Sequence, residues 1–406
     1  MAAIAAAGTA CVVSESSDSA RKTDSLATAA AAQQEYVADS VISVPAYDSA
    51  SMDTVGLGQQ IGNLPPLSTD TGFKRISSQT TGATISKFPA RIPTRGPAAL
   101  QIQILLDRAG FSPGIIDGQW GPNAAKALQW FNVANGMDST GLMSTDSQAT
   151  SSSRPKAATK ASQNTKMASI DQPTYQKLAA AGQNAQLITT YQVTADDVKG
   201  PFVKVPNSVY EQAKLDCLCY SSPGEALAEK FHTSEQMLQQ LNPGIDLKSI
   251  AAGASIQVPN VSQTPPVTGG VARLVISRKG YWTHAVDASG KVLAHFPSTL
   301  GGGYDPSPTG DFKVTGIAHK PTFNYQPSLM AEVPDSRPTA KLKPGPNSPV
   351  GVVWMALSKP HYGIHGTSAP ETIGYANSHG CVRLTNWDVE ILSGMVSRGT
   401  PVEFVD

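Results

Sequence analysis

Apolar positions along this chain follow three different spacings, and each predicts a different kind of structure. Residues 14 to about 95 have no sustained period; Ser, Thr, Ala, Gly and Asp dominate, with scattered prolines. Such a stretch cannot bury enough apolar surface to offset its ordering entropy, so 1–95 read as a disordered export and tether region. A helical period starts near Gly96-Pro97. Leu100, Ile104 and Leu105 line one face of a helix that Gly110 ends. Ala124, Ala127, Leu128 and Phe131 recur at i, i+3, i+4 and i+7 on a second helix, which Pro122 opens. Between the two, Asp117-Gly118 predicts a tight turn with Trp120 exposed beside it. The third helix is delayed to Asp171–Leu178, so the Ser/Thr/Lys-rich run 144–168 reads as a flexible insertion.

Further along, Leu227 and Phe231 share a short helix, Ser234 caps a second bearing Leu238 and Leu241, and Ile256 and Val258 alternate as a strand. Tyr191–Thr194 and Phe202–Pro206 read as short strands leading into this unit. After a Gln-Thr-Pro-Pro linker at 263–266 the period changes to two. Leu274–Ile276, Tyr281–Val286 and Lys291–Phe296, parted by glycine turns, predict an antiparallel meander. Near the end, Asn386 is placed to cap a helix from Trp387 to about Ser397, Gly399 stops it, and Val402–Phe404 closes the sheet.

Composition narrows the functional classes. At 406 residues the chain is long enough for two or three domains, each with its own core. The formal charge is zero, so nothing favours nucleic acid or an anionic membrane as partner. No stretch approaches eighteen apolar residues, so no membrane-spanning helix is expected. The alanine-rich start, Met1–Val13, lacks the basic residues of a secretory signal; Cys11 as an acylated lipoprotein position is the weaker alternative. Four cysteines, at 11, 217, 219 and 381, make no disulfide framework for a chain of this size. On a strand, Cys217 and Cys219 point the same way but lie too far apart to bridge easily, so they read as packing residues.

The candidate chemistry is concentrated late in the chain, where His365, His379 and Cys381 fall within seventeen residues. An ordinary cysteine is only a few per cent thiolate at neutral pH, and a nucleophilic one needs a neighbouring base or cation. If Val382 and Arg383 return beside the strand carrying His365, an imidazole comes within reach of the sulfur. Gly380 lets the chain turn sharply before Cys381, whose amide then faces a developing oxyanion. Arg383 falls on the same side of that strand as Cys381 and is a candidate carboxylate clamp or structural ion-pair partner. The alternatives are a packed, inert cysteine with packed histidines, and a zinc site drawn from His361, His365, His379 and Cys381.

The run Ile364-His365-Gly366-Thr367, then Ser378-His379-Gly380-Cys381-Val382-Arg383-Leu384-Thr385-Asn386, resembles the active-site signature of the L,D-transpeptidases, cysteine enzymes that remodel bacterial peptidoglycan. Ser307-Pro308-Thr309-Gly310 and Gly345–Gly351 extend the resemblance upstream, so that it covers roughly 271–406. It implies Cys381 as nucleophile, His365 as general base and His379 as a supporting or oxyanion-side group, with Ser378, Gly380 and Arg383 completing the catalytic set. Gly366, Thr367 and Trp354 are implied as substrate-binding positions. Residues 96–185 resemble a small three-helix peptidoglycan-binding domain, which implies Asp117 and Trp120 as ligand-binding residues, and 186–262 resemble a LysM module.

The expected architecture is therefore multidomain: a small all-α unit, an α+β module, and a mainly β, sandwich-like catalytic domain with a C-terminal helix. The expected activity is thioester formation between Cys381 and a donor tetrapeptide stem, then transfer to an amine on a second stem or an envelope protein. An L,D-carboxypeptidase using the same thioester and a non-catalytic wall-binding scaffold are the alternatives. No metal or organic cofactor is implied. The partners expected are peptidoglycan stems and glycan, and the place is outside the cytoplasm, in periplasm or cell wall.

Overall fold

The computed structural model describes residues 90–92, 94–137, 169–183, 186–262, 265–266, 270–302, 306–327, 336–378 and 380–406. The expected insertion 144–168, nearly all of the expected tether, and His379 lie outside the described residues.

The first unit is a short strand pair and three helices. Strand β1 (Ala90–Arg91) is followed by helices α1 (Pro97–Arg108) and α2 (Pro122–Ala134). After the undescribed run come β2 (Ser169–Ile170), antiparallel to β1, and α3 (Gln172–Ala181). Prolines open α1 and α2, where the missing N–H costs nothing, and Asp171 caps α3 by accepting from the Thr174 amide. Leu100, Ile104, Leu128 and Phe131 are all buried between the helices. The Asp117-Gly118 turn forms with Gly118 at φ +70°, a conformation that favours glycine. Trp120 beside it is half-buried, not exposed as expected, because its side chain packs against the buried cluster; its amide bonds to the Thr94 carbonyl.

The second unit runs β3 (Ile188–Gln192), α4 (Pro223–Lys230), α5 (Glu235–Leu241) and β4 (Ser255–Pro259), with β3 antiparallel to β4. Ser222 and Ser234 cap the two helices through the amides of Glu225 and Met237. The 202–206 segment is not a strand; it is extended chain tied to Tyr220 by one bond from the Val203 amide. Cys217 and Cys219 form a disulfide, which corrects the packing reading. They do not lie on a strand, and the bent chain brings their Cα atoms to 5.2 Å, inside the bridging range.

Strands β5 (Arg273–Ser277), β6 (Trp282–Val286), β7 (Val292–Pro297), β8 (Leu300–Gly301), β9 (Gly310–His319), β10 (Phe323–Tyr325), β11 (Ala340–Leu342), β12 (Val353–Leu357), β13 (Gly363–His365), β14 (Asn377–Ser378), β15 (Val382–Arg383) and β16 (Pro401–Val405) build the third unit. Eight of them form one mixed sheet in the order β15-β13-β12-β9-β16-β5-β6-β7. This is a single curled sheet, not the expected two-layer sandwich: the apolar face that a second sheet would cover is covered by helix α6 (Asn386–Met395), which buries Val389 and Leu392. Strand β16 does not close the sheet at an edge. It runs in the middle, antiparallel to β9 and parallel to β5. The cap of α6 is Thr385, one residue earlier than expected, whose hydroxyl accepts from the Asp388 amide. Asn386 is thereby released to bond outward, donating to Glu229 and the Pro346 carbonyl and accepting from the Val352 amide.

The apolar core does not follow the borders expected between units. The first two share one continuous cluster, which also takes in Val286 and Val292 of the sheet. A second cluster fills the sheet and includes Val209 and Leu218 from the segment before α4. Polar contacts join the pieces further: Ser112 donates to Asp388 at 3.0 Å, Asn347 to Glu225 at 2.8 Å, and His295 exchanges backbone bonds with Gly110 and Ser112.

Candidate active site

The site stands at one edge of the sheet. Strand β15 pairs parallel with β13 in the register Ile364↔Val382 and His365↔Arg383. Ile364 and Val382 turn into the core, so alternation sends His365 and Arg383 to the opposite face, and Cys381 sits in the bend that leads directly into β15, buried beside Ile364 and Val382. The return strand anticipated from the sequence is thus present, and it is parallel.

Each of these side chains is buried: Cys381 is 4 % exposed, His365 1 % and Arg383 3 %. Cys381 carries a free thiol, which donates to the His361 carbonyl at 3.8 Å. Burial pushes this thiol up to about 11, against a backbone bond from Gly363 and the nearby charge of Arg383. Burial, helped by the same Arg383 charge, holds His365 down to about 3. Thiol and imidazole therefore both rest neutral.

The ring of His365 is held from two sides. Its Nδ1 donates to the Gly366 carbonyl at 2.7 Å, which fixes the tautomer and leaves the basic lone pair on Nε2. Trp354, its register partner on β12, stacks on it with centroids 5.2 Å apart and planes at 20°. Gly363 admits this indole, because a Cβ there would collide with the Trp354 ring. Gly366 in turn admits the Asn386 amide, which a side chain at that position would displace.

The turn before the thiol is pinned by two hydroxyls. Ser378 donates to the Cys381 carbonyl at 2.5 Å, and Ser307 donates to the Gly380 carbonyl at 2.9 Å while accepting from the Gly301 amide. Gly380 sits at φ +102°, and a Cβ there would press on Tyr362. Thr367 is buried at the start of the loop that leads from His365 to this turn. Thr299 was not singled out in the sequence, yet it exchanges two backbone bonds with Arg383 and uses its hydroxyl to hold Thr372 and Gly374 of that loop. A lone threonine between Ser298 and Leu300 carries no sequence signal for such a task.

Asp117 and Trp120 do not join this cluster. The Asp117 carboxylate accepts from Gln119 within its own turn and from Gln103 on α1, and both Asp117 and Trp120 line a separate cavity of about 1050 Å³ bounded by all three units. Among the described residues, no group of three or more His, Cys, Asp or Glu side chains converges as a metal site, and no helix is long and apolar enough to cross a membrane.

The family model for the L,D-transpeptidase catalytic domain matches residues 272–404, and that described as "Putative peptidoglycan binding domain" matches 95–146. A Bacillus licheniformis protein named "Putative L,D-transpeptidase YkuD" is 32% identical over 183 residues, 44% of this chain and 93% of the relative. Its Bacillus subtilis namesake is 30% identical over 177 residues, 44% of this chain and 90% of the relative. "Probable L,D-transpeptidase YbiS" of Escherichia coli is 28% identical over 191 residues, 46% of this chain and 61% of that protein. Among solved structures, an L,D-transpeptidase from Mycobacterium smegmatis aligns with a TM-score of 0.28 at 20% identity, over 39% of this chain and 65% of that one. No LysM match accompanies these.

Proposed function

The chain belongs to the L,D-transpeptidase family, whose members act on peptidoglycan, and from that premise we propose that Cys381 is its nucleophile and His365 its general base. The observation that carries this assignment is the β13–β15 pair, which sets a tautomer-fixed imidazole beside Arg383 and brings the bend that holds the buried free thiol to the start of β15.

The neutral resting pair sets the order of events. As the carbonyl of the donor's third residue reaches Cys381, the thiol proton passes to Nε2 of His365 while the sulfur–carbon bond forms. Collapse of the tetrahedral intermediate breaks the bond to the terminal D-Ala, whose amine leaves with the proton from His365. An acceptor amine then attacks the thioester; its nitrogen–carbon bond forms, the sulfur–carbon bond breaks, and its proton returns through His365 to sulfur. Arg383 supplies the fixed positive charge that favours the transient thiolate. His379 is assigned the supporting role on the oxyanion side by its place in the signature.

Ser378, Ser307 and Gly380 hold the nucleophile's turn in shape. Trp354 and Gly366 act as positioning residues for the base, because both are packed against it or its neighbours. Thr367 opens the loop that borders the substrate side. The two N-terminal units, 96–185 and 186–262, hold wall polymer near the site; the strand–helix–helix–strand order of the second supports its LysM-like reading. An enzyme of this family works outside the cytoplasmic membrane, in periplasm or wall.

The test is mass spectrometry of the full chain with a purified tetrapeptide donor and an amine-bearing acceptor. The expected result is an adduct on Cys381, release of D-Ala and a cross-linked product, with no adduct on Cys381→Ala. A tripeptide as sole product establishes the carboxypeptidase instead, and an adduct on Cys381→Ala removes Cys381 from the mechanism.

A further inference from the structure

Three segments converge on the buried carboxamide of Asn386. Its Nδ2 donates to Glu229 Oε1 at 2.9 Å and to the Pro346 carbonyl at 3.1 Å, which uses both N–H bonds, and its Oδ1 accepts from the Val352 amide at 3.2 Å. Acceptors on one side and a donor on the other fix which way the amide faces. Of the three partners Glu229 is the one side chain, and it comes from α4 of the second unit. Pro346 and Val352 belong to the catalytic unit and contribute backbone groups. Tyr220 steadies Glu229 in turn, donating to the same Oε1 at 3.0 Å.

The amide so fixed lies against the residue that anchors the base. Gly351 and Gly366 both leave room for the Asn386 Oδ1, and a Cβ on either would collide with it. Gly366 supplies the carbonyl that accepts from His365 Nδ1 at 2.7 Å. On the strand side Gly366 is held through its amide, at 3.2 Å from the Val353 carbonyl, while its Cα faces the Asn386 amide. A carboxamide that turns or retreats therefore releases Gly366, and with it the carbonyl that fixes the imidazole tautomer.

We propose that Glu229 is a positioning residue for the catalytic base: from the second unit it fixes Asn386, and through Asn386 and Gly366 it sets the orientation of His365. The proposal rests on His365 being the base, as read above, and extends that site to a side chain outside the catalytic unit. The second unit thereby gains a part in the acylation step, separate from holding wall polymer. What the contact needs is an acceptor at the right reach. An amide oxygen at the same place accepts from Asn386 as the carboxylate does, and an apolar side chain of similar size does not. Misplacing a base slows the chemical step more than it weakens substrate binding, because the proton transfer alone depends on its alignment.

The experiment measures single-turnover acylation of the full chain by the tetrapeptide donor, and follows the His365 ring by nitrogen NMR of histidine-labelled protein. Glu229→Leu is expected to lower the maximal acylation rate about tenfold, to leave the donor KM near its original value, and to move the His365 ring signals toward tautomer averaging. Glu229→Asp keeps the charge and withdraws the oxygen by one methylene, so it is expected to show the same loss and carries the test should the leucine variant not fold. Glu229→Gln keeps the oxygen at its reach and is expected to stay within about twofold of the wild-type rate, with the ring signals unmoved. Ser112→Ala removes a different bond between an N-terminal unit and the same helix α6, that to Asp388, and is expected to change neither readout. Equal losses in Glu229→Leu and Glu229→Gln overturn the proposal, as does the same ring shift in Ser112→Ala, which would mean that general loosening of α6 is responsible. If His365→Ala is inert while Glu229→Leu and Glu229→Asp acylate as wild type, the positioning role falls alone; if His365→Ala acylates as wild type, the base assignment falls and takes Glu229 with it.

Discussion

Asn123, on the second helix of the N-terminal unit, donates from Nδ2 to the carbonyl of Ile373, 250 residues further along, on the loop between His365 and Cys381. The bond makes the accessory unit a structural support of the catalytic loop. Within that loop the amides of Ile373, Tyr375 and Ala376 bond to Pro370 and Thr372. In Asn123→Ala these amides should exchange with deuterium about fivefold faster, as loss of roughly 1 kcal/mol from one hydrogen bond implies. Hydrogen-exchange mass spectrometry reads this directly. Unchanged exchange would mean that Thr299 alone holds the loop.

Alkylation of Cys381 should report a buried thiol, not an activated thiolate. Its rate should climb with pH toward a midpoint near 11, where burial places the thiol. Arg383→Met withdraws the charge that favours the thiolate, so its midpoint moves higher still. A wild-type midpoint near or below that of an ordinary cysteine is the result that contradicts a neutral resting pair.

Removing the base should slow acylation by about 10²–10⁴-fold in His365→Ala. Trp354 acts through the ring it stacks on, so Trp354→Leu lowers kcat and leaves KM near its original value. Trp354→Phe keeps an aromatic face and recovers most of that loss. Single-turnover kinetics separates these cases, and equal losses in the Leu and Phe variants would remove the stacked ring from the account.

Glu229 accepts from Tyr220 at 3.0 Å and from Asn386 at 2.9 Å, and burial raises its carboxyl to about 7. Its folded value lies above the unfolded one, so the stability it contributes is fully present below about pH 4.5 and is lost as pH rises through about 7. Glu229→Gln cannot titrate. Its melting temperature relative to wild type should therefore rise between pH 4.5 and 7, whatever the offset at acid pH. A difference that stays flat across this window would show that Glu229 does not titrate there.

Local spacing was enough to specify part of this fold. Leu100, Ile104, Leu128 and Phe131 repeat at helical intervals, and they form helix faces because a period of 3.6 leaves few alternatives. The run from Ser378 to Arg383, read with His365, named the enzyme family, because a cysteine, its glycine turn and a histidine recur there within seventeen residues. Tertiary structure alone decided matters that depend on what meets across long separations. The bent chain at 217–219 makes a disulfide where an extended one leaves two packing residues. One curled sheet under helix α6 replaces the sandwich that the same alternating strands permitted, since period two fixes which face is apolar but not what covers it. The thiol's high pKa and the half-burial of Trp120 arise from how the folded chain closes over them, and the shared cavity from segments more than a hundred residues apart; no local pattern of hydrophobic and polar positions encodes such burial.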